Sequence, residues 1–265
     1  MRGWFSRDYE PVVSVDPGES VTFSVPNAGW FWDADVEPER PEGAGHALYG
    51  PVEVRGARAG QTLVVRIDEV VSRDWGRTWA DGETFTWELD GDAWRMGRHE
   101  VGSAPFLGVI GMPPPESGEH STIPPRRWGG NIDCKELVAG TTLFLPIPVD
   151  GAWLMAGDGH GAQGDGEVSG TAIECPVERA TLTLDLDDRE LRSPIARTAD
   201  SWIAFGFDED LDAAAEQATE TMLALMEREL AVSRPEALAL ASVSVDLHVT
   251  QVVNEVKGVH AILRA

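Results

Sequence analysis

The chain has 265 residues, 42% of them hydrophobic, and its 45 acidic against 21 basic residues give a formal charge of −24. That length supports a large core, in one β-rich domain or two smaller ones. So acidic a surface repels phosphate backbones and anionic headgroups, which excludes nucleic acid and membrane as partners.

No segment approaches the roughly 20 apolar residues of a membrane span, and the polar start MRGWFSRDYE does not read as a leader. Cys134 and Cys175 form no CxxC pair. The expectation is a soluble cytoplasmic protein in a reduced compartment.

Val13 and Val15 before the turn Asp16-Pro17-Gly18, and Val21, Phe23 and Val25 after it, alternate as two paired strands do. Further strands are predicted over 52–55, 62–71, 142–149, 166–175 and 180–186, each bounded by Gly, Pro or Asp. The stretch 72–122, rich in Trp, Gly and Pro, has no sustained period and is expected to form long loops over a sheet edge or an active-site mouth.

From Asp208 the period changes, with Leu211, Ala215, Ala218, Met222 and Leu225 recurring at intervals of three and four. This predicts a helix reaching Leu230, whose apolar face must cover a sheet or a neighbouring subunit. Ser233-Arg234-Pro235-Glu236 is a capping box that opens a second, short helix, and strands return over 242–249 and 259–263. Strands first and helices late predict a mainly β or α+β fold in a single domain, 1–265, β-rich to about residue 190 and α+β from about 191.

Two clusters can carry chemistry. One is Gly129-Gly130-Asn131-Ile132-Asp133-Cys134-Lys135-Glu136-Leu137; the other runs from Gly157 through Asp158, His160, Gln163 and Asp165 to Glu167, with five glycines in eleven residues. Glycine lets backbone approach a ligand, and the second cluster reads as a loop joining two buried strands, where rigid scaffolds display catalytic groups. It fits neither a P-loop nor an EF-hand.

His160 with Asp133, Asp158 and Glu167 has the make-up of a His-plus-carboxylate site for a divalent metal with one open position. No Gly-x-Ser-x-Gly elbow is present. Cys134, Lys135 and Glu136, if on a strand, point to alternate faces, so Cys134 is expected to be buried and inert. His248 and His260 read as structural, while His46, His99 and His120 stay as secondary candidates; Trp30, Trp32 and Trp128 can wall an apolar pocket.

The segments GGNIDCKELVAGTTLFLPIPVDGA and GDGHGAQGDGEVSGTAIE closely resemble the central block of the acetamidase/formamidase family. DPGESVTF, GPVEVRGARAGQTLVVRI and LGVIGMPP precede them in order and DLHVTQVVNEVKGV follows, so the resemblance runs from about residue 11 to the C-terminus. It implies a cytoplasmic homo-oligomer with a β-sandwich core that hydrolyses short amides such as formamide or acetamide. Asp133, Asp158, His160, Gln163, Asp165, Glu167 and Glu174 occupy the family's polar motif positions. Trp128, where a smaller or polar residue is expected, and His46, where an amide is common, depart from the pattern and bear on the substrate.

Amide hydrolysis needs activated water, a stabilised oxyanion and a protonated leaving nitrogen. On the resemblance, Glu167, His160 and Asp133 are the catalytic residues, and Gly130, Asn131, Gln163 and Trp128 contact substrate. Asp133, Asp158 and His160 are assigned as ligands of a divalent metal, zinc or alternatively calcium, or else as positioners of the water, and the backbone N–H groups near 129–131 as oxyanion donors. Two other readings stay open: a non-catalytic β-sandwich protein binding a divalent metal or polar ligand through the acidic loop, and a family member acting on a larger or cyclic amide.

Overall fold

The computed structural model describes residues 1–264. Its first nine strands are β1 (Val13–Val15), β2 (Ser20–Val25), β3 (Leu48–Val54), β4 (Thr62–Ser72), β5 (Trp75–Ala80), β6 (Glu83–Asp90), β7 (Ala93–Met96), β8 (His99–Gly102) and β9 (Phe106–Gly111). β10 (Gly129–Asn131), β11 (Thr142–Pro146), β12 (Leu154–His160), β13 (Val177–Asp187), β14 (Ile195–Arg197) and β15 (Ser201–Asp208) follow. The helices α1 (Leu211–Glu229) and α2 (Arg234–Ser244) and the strands β16 (Val245–Gln251) and β17 (Lys257–Arg264) complete the chain.

The fold is mainly β, with a sandwich at its centre. A five-stranded sheet, ordered β1-β3-β12-β9-β10, faces an eight-stranded one, ordered β16-β17-β15-β14-β11-β4-β13-β2. Between them lie Val52, Leu107, Ile110 and Leu154 from the first sheet and Leu63, Val65, Leu143, Leu182 and Phe205 from the second. Burying this apolar surface at roughly 25 cal/mol per Å² is the main force joining the layers. The eight-stranded sheet takes strands from both sides of residue 190, so no boundary falls there.

On its other face, Phe144, Ile195, Ala204, Val259 and Ala261 pack against Ala214, Ala218, Met222 and Met226 of α1. The approach is close because residue 206 is glycine, where a Cβ would strike the Ala214 carbonyl. The apolar face of α1 is thus covered within its own chain and makes no case for a second copy. Asp210 caps α1, its carboxylate accepting from the Asp212 N–H at 2.9 Å and the Ala213 N–H at 3.1 Å. The capping box of α2 forms, with Glu236 accepting from the Ser233 N–H at 2.9 Å and the Ser233 hydroxyl at 2.7 Å.

Four expectations require correction. The strands flanking Asp16-Pro17-Gly18 do not pair with each other: β1 runs parallel to β3 in one sheet, while β2 pairs antiparallel with β13 in the other. The alternating pattern fixes which face is buried and leaves the partner open.

Stretch 72–122 is strand for most of its length, since β5–β8 form a four-stranded meander and β9 is an interior strand of the sandwich, while its end, 112–122, is loop apart from an isolated bridge at His120. Its first hairpin turns at Asp81-Gly82, both at positive φ, the sequence signal for such a turn. Region 166–175 is no strand: only isolated bridges occur there, and Gly166, Glu167 and Gly170 at positive φ break the extended backbone. Residues 242–244 still belong to α2. Among the described residues no helix is long and apolar enough to cross a membrane.

Candidate active site

The Asp158–His160 pair is not in a loop. Both end β12, two residues apart and therefore on one face of the strand, and both are buried. Asp133 follows the short β10, and its N–H donates to the Gly108 carbonyl of β9 at 3.2 Å. Glu174 sits opposite His160 in an isolated antiparallel bridge. Glu167 is set in a tight turn, held by the Gly170 N–H donating to its carbonyl at 2.8 Å and the Gly166 N–H donating to Thr250 O at 3.1 Å.

Asp133, Asp158 and Glu167 all adopt left-handed backbone, with φ of 52°, 61° and 45°. Such conformations cost of order 1–3 kcal/mol each and persist only where the surrounding structure fixes them.

These elements converge on His160. Its Nε2 lies 3.4 Å from Asp158 Oδ2, 3.4 Å from Glu174 Oε1 and 4.0 Å from Asp133 Oδ1. One ligand atom each from Asp133, Asp158 and His160, and one each from His160, Glu167 and Glu174, fall within 4.8 Å of one another. Gln163 Nε2 donates to the Asp133 carbonyl at 2.7 Å while its Oε1 lies 2.9 Å from His160 Nδ1, so the amide accepts from Nδ1–H and leaves Nε2 facing the carboxylates. Gln163 is therefore a positioning residue, and its expected contact with substrate is not formed by these bonds.

Sequence reading missed two members of the site and underrated a third. Gly108 is the floor of the cluster: a Cβ there would stand 2.6 Å from Asp133 Oδ1 and from Asp158 Oδ2, and 2.8 Å from His160 Cε1. Asn254 donates to Asp133 Oδ2 at 2.5 Å from the turn after β16. His46, a secondary candidate, brings Nε2 to 4.0 Å from Asp158 Oδ2. Gly108 and Asn254 both lie inside segments of the family resemblance, LGVIGMPP and DLHVTQVVNEVKGV, but neither is singled out there.

The electrostatics are those of crowded acids out of water. Burial, then Glu167 and Asp158, push Asp133 well above the usual carboxylate range, with His160 opposing. Glu167 is pushed up to about 8, again first by burial and then by Glu174 and Asp158. Burial and Asp158 raise Glu174. Asp158 goes the other way: burial would raise it, but His46 and His160 hold it below its ordinary value. Burial would lower His160, and Glu174 and Asp158 outweigh it to hold the imidazole well above its ordinary value.

Asp133 Oδ1, Asp158 Oδ1 and Glu174 Oε2 are buried without a hydrogen-bond partner. Of these only Asp133 Oδ1 also faces His160 Nε2; three buried carboxylates gathered at one imidazole, each with an oxygen unpaired, fit a bound divalent cation.

Other candidates fall outside. Trp128 packs against the sandwich core. The Gly129 N–H is committed to the Arg126 carbonyl at 2.9 Å and is not free for an oxyanion. Asn131 is buried with its Oδ1 unpartnered, and Gly130 lies in β10 against β9. Asp165 pairs with Lys135 at 2.8 Å and with His248 at 3.0 Å. His99 is exposed, and His120 Nε2 lies 3.1 Å from Glu116 O. A cavity of about 410 Å³ reaches Gln163 and Glu167, walled by Trp87, Ala162 and Ile173.

Residues 116–196 match the acetamidase/formamidase family profile. Over 48 residues the chain is 50% identical to an acetamidase of Mycolicibacterium smegmatis and 46% identical to a formamidase of Methylophilus methylotrophus; each stretch is 18% of this chain and 12% of the relative. The solved structure of an acetamidase from Bacillus halodurans superposes with a TM-score of 0.90 at 29% identity, over 98% of this chain and 94% of that one. In its central block and in its fold the chain is similar to the acetamidase/formamidase family. Within that family match lie Asp133, Asp158, His160, Gln163, Glu167 and Glu174, while Gly108, His46 and Asn254 come from segments outside it.

Proposed function

We propose that the protein hydrolyses the C–N bond of a short aliphatic amide to carboxylate and ammonia. The observation that carries this reading is the buried cluster itself: the carboxylates of Asp133, Asp158 and Glu174 around His160, each with an oxygen unpartnered, with Glu167 shared between the cluster and the lining of a cavity large enough for a small amide. The similarity of residues 116–196 to the acetamidase/formamidase family supports the same chemistry.

Asp133, Asp158 and His160 would hold a divalent ion, with Asn254, Gln163 and Gly108 fixing their positions. A zinc-class ion bound there supplies Lewis acidity and a water acidic enough to ionise near neutrality. Imidazole among the ligands favours zinc over calcium, which prefers six to eight oxygens.

Glu167 takes a proton from the attacking water and returns it to the departing nitrogen. A carboxyl raised to about 8 sits near the operating pH, where both halves of that task are open to it. The apolar wall of Trp87, Ala162 and Ile173 receives the acyl group.

Ammonia release from a panel running from formamide to butyramide and cyclic amides, before and after chelation, tests this. Release from at least one small linear amide, lost on chelation and restored by zinc, is expected. Silence across the panel with zinc, manganese or calcium supplied sinks it and leaves the binding-protein reading. One observation favours a second substrate class: the cavity exceeds what formamide fills, so preference for the larger amides in the panel is the alternative outcome.

The same reading includes a homo-oligomer. The exposed Leu238, Leu240, Val243 and Leu247 on α2 and β16 support it. Light scattering that gives a mass near 28.7 kDa contradicts it.

A further inference from the structure

One residue beyond Asp133 the chain bends, and Cys134 takes no part in the carboxylate cluster. Cys134 and Glu136, two residues apart, converge, with Sγ donating to Glu136 Oε2 at 3.1 Å. The same Oε2 lies 3.4 Å from His260 Nε2 on β17. Sγ, a Glu136 oxygen and Nε2 are all within 4.8 Å of one another, and Cys134 and His260 are wholly buried.

His260 Nε2 has no hydrogen-bond partner, an orphaned ring nitrogen aimed at the thiol and the carboxylate. Its Nδ1 lies 2.8 Å from the buried Thr250 Oγ1, and His248 stacks on the ring at 5.1 Å between centroids.

We propose that Cys134, Glu136 and His260 form a second metal site, distinct from the carboxylate cluster, that takes a thiophilic divalent ion of the zinc class. Thiolate, imidazole and carboxylate together are a zinc-type donor set. Bonds of about 2.0–2.3 Å at tetrahedral angles put ligand atoms about 3.3–3.5 Å apart, close to the 3.1 Å from Sγ to Glu136 Oε2 and the 3.4 Å from that oxygen to Nε2.

Thr250 supplies the outer partner that metal-bound histidines use: Nδ1–H donates to its hydroxyl, and the Nε2 lone pair is left for the ion. On binding, the Cys134 thiol loses its proton to solvent and the sulfur bonds the ion, with no change in oxidation state. The ion ties the 133–137 turn to β17, directly beside Asp133. Burial and Glu136 push the free thiol well above its ordinary range, so without metal it is an inert thiol and no nucleophile.

The test uses the full chain, stripped of metal and reloaded with cobalt(II). The carboxylate cluster contains no sulfur, so a thiolate-to-cobalt charge-transfer band in the near ultraviolet reports the second site alone, independently of any amide hydrolysis. The wild type is expected to show the band and Cys175→Ser to keep it. Cys134→Ser is expected to lose it and to bind one metal equivalent less per chain by elemental analysis.

A wild type without the band, or a band that survives Cys134→Ser or vanishes in Cys175→Ser, overturns the proposal. If Cys134→Ser does not fold, the wild-type and Cys175→Ser spectra decide: the band in both supports the site, and its absence from either refutes it.

Discussion

Gly108→Ala is expected to remain folded and to lose turnover by about 10²-fold or more, with less metal bound per chain. Gly108 lies in β9 and has no positive φ, so its backbone accepts alanine. What it does not accept is the volume. The added methyl stands 2.6 Å from an oxygen of Asp133 and an oxygen of Asp158, and 2.8 Å from His160 Cε1, so all three must move together.

Displacing positioned groups by about 1 Å can cost about 10²-fold in rate, whereas overpacking costs only about 1–3 kcal/mol of stability. Steady-state kinetics with circular dichroism and elemental analysis separate the two. Wild-type turnover in a folded Gly108→Ala protein contradicts the placement of the site.

Glu167→Gln is expected to lower turnover by roughly 10²–10⁴-fold with little change in substrate dissociation constant, because glutamine keeps the size and much of the hydrogen bonding but cannot carry the proton. The pH profile gives a second readout. A base acts only when deprotonated, so turnover should rise with pH through the Glu167 ionisation. That ionisation lies at about 8 with the neighbouring carboxylates unneutralised, and lower once a cation offsets them. In Glu167→Gln this limb should disappear. Wild-type turnover, or a retained limb, removes Glu167 from the mechanism.

How much of this was readable depended on whether local pattern decided the matter. The helix α1 and the capping box of α2 were legible because caps and 3.6-residue periodicity are local. So were β4 and β13, long apolar runs bounded by breakers. Strand partners were not: β1 and β2 carry the alternation of a hairpin, yet Asp16-Pro17-Gly18 carries the chain from one sheet to the other. The meander β5–β8 was hidden by tryptophan and glycine, although Asp81-Gly82 marked its first turn.

At the site, the residue types in the two clusters disclosed Asp133, Asp158, His160 and Glu167. They did not disclose that Asp158 and His160 end a buried strand, or that Gly108 and Asn254 come from strand β9 and the β16–β17 turn to complete the cluster. Such contacts are long-range, and a side chain absent by design, as at Gly108, leaves no chemical signature in sequence.

The central claim is that the cluster around His160 hydrolyses amides. The most direct measurement follows ammonia and carboxylate together from acetamide, for zinc-loaded wild type and Gly108→Ala side by side. The account predicts equal amounts of the two products from the wild type and about a hundredth of that rate or less from a folded variant. Equal rates from both proteins, or ammonia without matching carboxylate, would contradict it.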